Sequence, residues 1–179
     1  EYVLIYVNDI LCISDNPQKS LERINKYFPM KPNSIGKPDI YLGAKLSGVR
    51  LPNQVEAWAM SPSKYIQEAC KNAKQWHKEN QSQPIYPSKC SAPFSSKYRP
   101  ECDVTPELEV EEASYFQSII GLLRWAVELG RIDITAKVSM LSSHLAMPCD
   151  GHLAEAFHIF AYLEPRHASR LVFDPTYPY

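Results

Sequence analysis

The chain has 179 residues, with 19 Lys and Arg against 20 Asp and Glu and a formal net charge of −1. Hydrophobic residues at 45% and charged residues at 22% are the proportions of a folded globular chain, which excludes wholesale disorder. No apolar run approaches the ~18 residues of a membrane-spanning helix, and no secretory signal opens the chain. The length suffices for one domain with a sizeable core, or for two small lobes. Glu1 leads straight into an apolar run, as in a chain cut from a longer one.

Charge is unevenly spread. Residues 1–78 hold 11 basic against 7 acidic side chains, a surplus of +4. Residues 79–113 hold 3 against 7, a deficit of −4. The basic front is a weak polyanion footprint, and on charge alone a solvated mixed surface is the better explanation. Cys12, Cys70, Cys90, Cys102 and Cys149 form no CxxC pair, and the odd count reads as free thiols in a reducing compartment. The histidines show neither HxxxH nor HExxH, so zinc is not expected.

In chain order, residues 2–7 and 10–13 are apolar runs around Asn8-Asp9 and read as a β-hairpin with those two residues in the turn. Asp15 or Asn16 caps a helix that starts at Pro17, carries Leu21, Ile24 and Phe28, and stops at Pro29. Residues 39–47 read as one strand, in which Gly43 is either a bulge or a point of close backbone approach. Residues 56–60 form a further strand. Ser61-Pro62-Ser63 opens a helix with Tyr65, Ile66, Ala69, Cys70 and Ala73 as its apolar stripe.

Residues 80–113 carry Pro84, Pro87, Pro93, Pro100 and Pro106 and read as an extended linker or a surface-wrapped crossing, mobile at its acidic end. Three helices follow. The first, from Ser114, stops at Gly130. The second runs from Asp133 to Pro148, and the third from His152 to Pro165. A strand begins at Leu171. Short loops place the helices antiparallel. Tyr115, Phe116 and Trp125 are expected in the helical core. Arg131 and Asp133 are expected to hold the junction between two helices.

The ordered landmarks carry a resemblance. YVND at Tyr6–Asp9, inside the hairpin LIYVNDILCISD, resembles the catalytic YVDD hairpin of copia-type retrotransposon reverse transcriptases. FPMK at Phe28–Lys31, YLGAKL at Tyr41–Leu46 and SPSKYIQEAC at Ser61–Cys70 are similar to that family's next segments, in its order. Tyr115, Ser118, Gly121 and Leu123 match a later helix. Arg131-Ile132-Asp133-Ile134 resembles R-P-D-I, and His152, Ala156 and Tyr162-Leu163 match the following helix.

The resemblance implies an α+β fold. Residues 1–50 would be the C-terminal palm, 51–80 a thumb-like segment, 81–113 a linker, and 114–179 a helical connection toward an RNase H domain. It implies an RNA-directed DNA polymerase in which two Mg2+ ions clamp an in-line displacement. Asp9 and Asn8 would be the catalytic and metal-binding residues. Tyr6, Gly43, Lys64, Lys71 and Lys74 would contact nucleic acid, although the lysines read equally well as a solvated face. Position 8 is Asn where the family carries Asp, which removes one negative charge from the tip. The third carboxylate lies upstream of the hairpin in the family; Asp15 is too near the hairpin and Asp39 is in the wrong region. Implied partners are an RNA/DNA primer–template and the remaining polyprotein parts: fingers, N-terminal palm, RNase H and integrase. The implied location is a cytoplasmic virus-like particle or the nucleus. The chain alone is expected to be inactive. The alternatives are a residual primer–template binding module, or a decayed relic without activity.

Overall fold

The computed structural model describes residues 2–14, 16–80, 86–87, 90–93, 95–96 and 98–176. Asp15 and Pro84 lie outside the described residues. The fold is α+β: two antiparallel sheets and a packed group of helices.

Strands β1 (Tyr2–Tyr6) and β2 (Asp9–Ile13) form a two-stranded hairpin. Tyr6 pairs with Asp9, so the turn residues are Val7 and Asn8, one position before the expected Asn8-Asp9. Helix α1 (Pro17–Tyr27) starts as read: the Asn16 side chain accepts from the Lys19 N–H, with Pro17 in the first turn. It buries no residue fully and packs against β2.

The expected single strand over 39–47 is two strands. β3 (Ile40–Tyr41) and β4 (Ala44–Arg50) pair across the turn Leu42-Gly43, where φ is +53° and +89°. β5 (Glu56–Ser61) pairs with β4, and β6 (Leu171–Phe173) pairs with β5, giving the sheet order β3-β4-β5-β6. The expected boundary between residues 50 and 51 therefore falls inside the β4–β5 hairpin.

Helix α2 (Ser63–Glu79) buries Ile66, Ala69, Cys70 and Ala73, the stripe read from its periodicity. They share one core with α3 (Val110–Glu128), α4 (Thr135–Ser142) and α5 (Asp150–Leu163), centred on Phe116, Ile120, Leu123, Leu141, Phe157 and Phe160. The end of α3 explains the role of Gly130. With φ at +102° it donates to Val127, and Arg131 donates to Ala126, the two bonds that close a helix through a left-handed residue. α4 stops at Ser142, short of Pro148. The Ser142 and Ser143 hydroxyls bond back to the carbonyls of Val138 and Met140 there, a local competition that weakens helix.

The described part of 86–109 is a strap held on α5, as in the surface-wrapped alternative. Arg166 donates to the carbonyls of Cys90 and Ser91. The Ser95 N–H donates to Glu155, and the Tyr98 hydroxyl to Asp103. The acidic end, expected to be mobile, is tied by Leu108 N–H to Pro148 and by a bridge between Glu107 and Cys149. The packing is close enough that a Cβ on Gly151 would collide with the Asp103 carboxylate.

His152 locks the strap to the start of α5. The Cys149 N–H donates to its Nδ1 at 2.8 Å, so Nδ1 carries no proton. Nε2–H is then the donor to the Pro100 carbonyl at 3.2 Å. His144 stacks on the ring at 4.2 Å, with Tyr98, Cys149 and Asp103 also near. Burial holds the pKa of His152 below the ordinary imidazole value, helped by His144 and opposed by the Pro100 bond and Asp103. An imidazole depressed in the folded state contributes stability above ~6.5, and that contribution is lost as pH falls through its folded pKa. Tm should therefore drop on acidification below ~6.5. His152→Gln, whose amide can close the same cap without titrating, should flatten that drop. Equal slopes for the two proteins would contradict the assignment.

Candidate nucleic-acid interface around the hairpin tip

The β1–β2 tip is set by register. As cross-strand partners, Tyr6 and Asp9 project from the same face of the hairpin. Asn8 is the second turn residue, beside Asp9, and both are exposed. Val7, which precedes them, has φ +51° and is 82% exposed. A β-branched residue in the left-handed region is strained, and such strain concentrates at sites where backbone position matters.

Every residue of β1 is exposed, including Tyr2, Leu4 and Ile5. The strand presents an open edge with an apolar face. Tyr6 meets the helical part, its ring lying 5.8 Å from that of Trp125 on α3. Trp125 was expected in the core beside Phe116. Phe116 is fully buried, but Trp125 sits at the margin of the buried face and meets the hairpin. Tyr115 stacks on Trp76 at 3.7 Å, as a core aromatic.

The other sequence-derived residues fall in separate places. Gly43 is exposed at the β3–β4 turn, and nothing lies within 4 Å of a Cβ built there. It is a turn glycine and not a bulge, with open space beside its backbone. Lys64 and Lys71 are exposed on α2. Lys74 is held by the Glu164 carboxylate, both oxygens at 2.6 Å, and by the Tyr86 ring at 5.7 Å. Phosphate binding by Lys74 would have to compete with Glu164, a partner ninety positions away that local spacing could not reveal.

At the tip, Asp9 offers one carboxylate and Asn8 one neutral amide oxygen. Hard cations such as Mg2+ take oxygen ligands, and an amide oxygen coordinates without adding charge. Among the described residues no three His, Cys, Asp or Glu side chains come together as a metal cluster. Asn8 and Asp9 therefore fit part of a magnesium site and do not by themselves make a two-metal centre.

Arg131 and Asp133 occupy the junction expected for them. Arg131 Nε and Nη2 meet the two Asp133 oxygens at 2.9 and 2.7 Å, while Nη1 reaches the Arg166 carbonyl at 3.1 Å. The Tyr162 hydroxyl also donates to Asp133, at 2.9 Å.

Over 166 residues the chain is 28% identical to the putative transposon Ty5-1 protein of Saccharomyces cerevisiae. The chain is similar to a transposon protein. The match covers 90% of this chain and 48% of the relative, so the chain spans about half the length of the curated relative it matches. It includes most of the chain's length and is not confined to one motif. No family model matches the chain, and no solved structure matches it. Among the described residues, no helix is long and apolar enough to cross a membrane.

Proposed function

We propose that this chain is part of a copia-type reverse transcriptase: the C-terminal palm with its catalytic hairpin, a thumb-like segment and a connection region. The observation that carries the reading is the tight hairpin with Asn8 and Asp9 side by side at its exposed tip. The transposon relative supports the same origin. The reaction is RNA- or DNA-templated addition of deoxynucleotides to a primer 3′ end. The residues of this chain that serve it are Asp9, as a carboxylate ligand for Mg2+, and Asn8, as a neutral oxygen beside it. Tyr6 and Trp125 brace the tip. Gly43 offers open backbone to the primer, and Lys64 and Lys71 offer charge to phosphates. Fingers, N-terminal palm, RNase H and integrase are the proposed polyprotein partners, with a virus-like particle or the nucleus as the setting.

The chain alone is proposed to be inactive. A two-metal displacement needs more carboxylate charge than one Asp supplies. The test is primer extension on an RNA template with Mg2+, using the isolated chain. No extension is expected, and extension by the chain alone would contradict the proposal.

A second reading keeps binding without chemistry. Lys64 and Lys71 lie seven positions apart on α2 and are both exposed, which favours retained contact with a duplex backbone. This reading differs from the first only in whether any longer form polymerises.

A further inference from the structure

The outer face of the second sheet carries an aromatic pair that the hairpin and α2 do not use. Trp58 on β5 and Phe173 on β6 are cross-strand partners, so both project from one face. They are 38% and 50% exposed. The partner of Trp58 on its other side is Gly48, where a built Cβ meets nothing within 4 Å. An open groove of about 390 Å³ runs beside the indole and over Gly48. Lys37 reaches over the same ring, its Nζ 5.4 Å from the centroid. Arg50 and Glu56 close the far end at 3.6 Å, with side chains 64% and 86% exposed. A pair that open to water is worth little, so the guanidinium remains available to a better anion.

We propose that this groove binds single-stranded nucleic acid, with an unpaired base on Trp58, phosphates on Lys37 and Arg50, and a neighbouring base on Phe173, which adjoins the groove across Trp58. Two features select that ligand. A flat exposed indole with open space beside it suits the π-face of any base, and a base must be unpaired to present it. The cations at the groove outnumber its one carboxylate, so an apolar protein surface docking here would bury Lys37 and Arg50 without anions. A strand of bases on a phosphate backbone satisfies rings and cations together. Sequence preference should be slight, because neither stacking nor phosphate contact reads base edges.

The inference rests on the reading of the chain as a nucleic-acid binder, and the test separates the two. Anisotropy of a labelled oligothymidylate of ~12 nucleotides is compared with that of a blunt RNA/DNA duplex, for the wild-type chain, Trp58→Ala and Trp58→Phe. Both variants change an exposed side chain, and matching circular dichroism and Tm establish that they fold. Trp58→Ala is expected to weaken oligonucleotide binding by about 10-fold and to leave the duplex unchanged, while Trp58→Phe keeps most of the affinity. Equal oligonucleotide binding by wild type and Trp58→Ala overturns the proposal. So does duplex binding without oligonucleotide binding, which leaves the nucleic-acid reading intact. Binding of neither overturns both. Self-association that Trp58→Ala abolishes, without oligonucleotide binding, overturns it in favour of a protein contact.

Discussion

Arg131→Ala is expected to destabilise the chain by about 3 kcal/mol and to lower Tm by roughly 6–12 °C. Arg131 is 2% exposed. Its guanidinium forks onto Asp133 and also holds the Arg166 carbonyl, joining the α3–α4 junction to the segment after α5. Removing it leaves Asp133 facing Tyr162 without its cation. Because the Asp133 side chain is 36% exposed, water can partly replace that cation, which puts the cost at the low end for a broken ion pair. Arg131→Lys should recover only part of the loss, since an ammonium cannot make the fork. Urea melts of the three proteins check this, and a change below ~1 kcal/mol for alanine would contradict it.

The same pair responds to acid. Desolvation pushes the Asp133 carboxyl up, but the hydrogen bonds and charge of Arg131, with the Tyr162 hydroxyl, outweigh it and hold the pKa below the ordinary value. A carboxylate depressed in the folded state contributes stability above ~4, and the contribution is lost as pH falls through the folded pKa. Arg131→Ala should therefore weaken this acid dependence as well as lower the plateau.

Asn8→Asp is the second large effect. In a longer polymerase containing this chain, restoring the carboxylate should raise primer extension by about 10²-fold, the scale on which electrostatic partners of a transition state act. The reason is local: position 8 adjoins Asp9 at an exposed tip, so the added charge lands beside the carboxylate proposed to hold Mg2+. Fold stability should barely change, because residue 8 lies in an exposed turn. In the isolated chain the substitution should tighten Mg2+ binding without conferring extension. Unchanged extension by the longer Asn8→Asp protein would remove position 8 from the chemistry.

How far the sequence revealed this structure depends on the kind of contact involved. The stripe Ile66, Ala69, Cys70 and Ala73 was legible because a helix repeats its buried face every three or four residues. The hairpin was legible, but its turn was not. Asn8 favours positive φ more than Val7 does, yet the Tyr6–Asp9 pairing places Val7 in that conformation. The break at Leu42-Gly43 was hidden because an apolar Leu continued the strand pattern through the turn. The end of α4 was hidden in the same way, with apolar periodicity running past serines that compete for the backbone.

The strap over 86–109 had no periodicity to read. Side chains of Arg166, His158 and His152 hold it through carbonyls at Cys90, Ala92 and Pro100, each more than fifty positions away. Of the candidate site, Asn8 and Asp9 came from the motif. Trp125 was missed because an aromatic residue on a largely buried helix reads as core. Its contact with Tyr6 depends on how the hairpin docks, which only the three-dimensional arrangement reveals.

Both proposed readings, polymerase part and binding module, require the chain to grip a primer–template. Titration of a labelled RNA/DNA duplex against the chain, between ~50 mM and ~200 mM salt, tests it most directly, with Lys64→Glu/Lys71→Glu as the comparison. The account predicts binding that weakens steeply with salt, and a double variant with lower affinity and a shallower salt slope. Absence of binding at ~50 mM salt, or identical slopes for the two proteins, would contradict it.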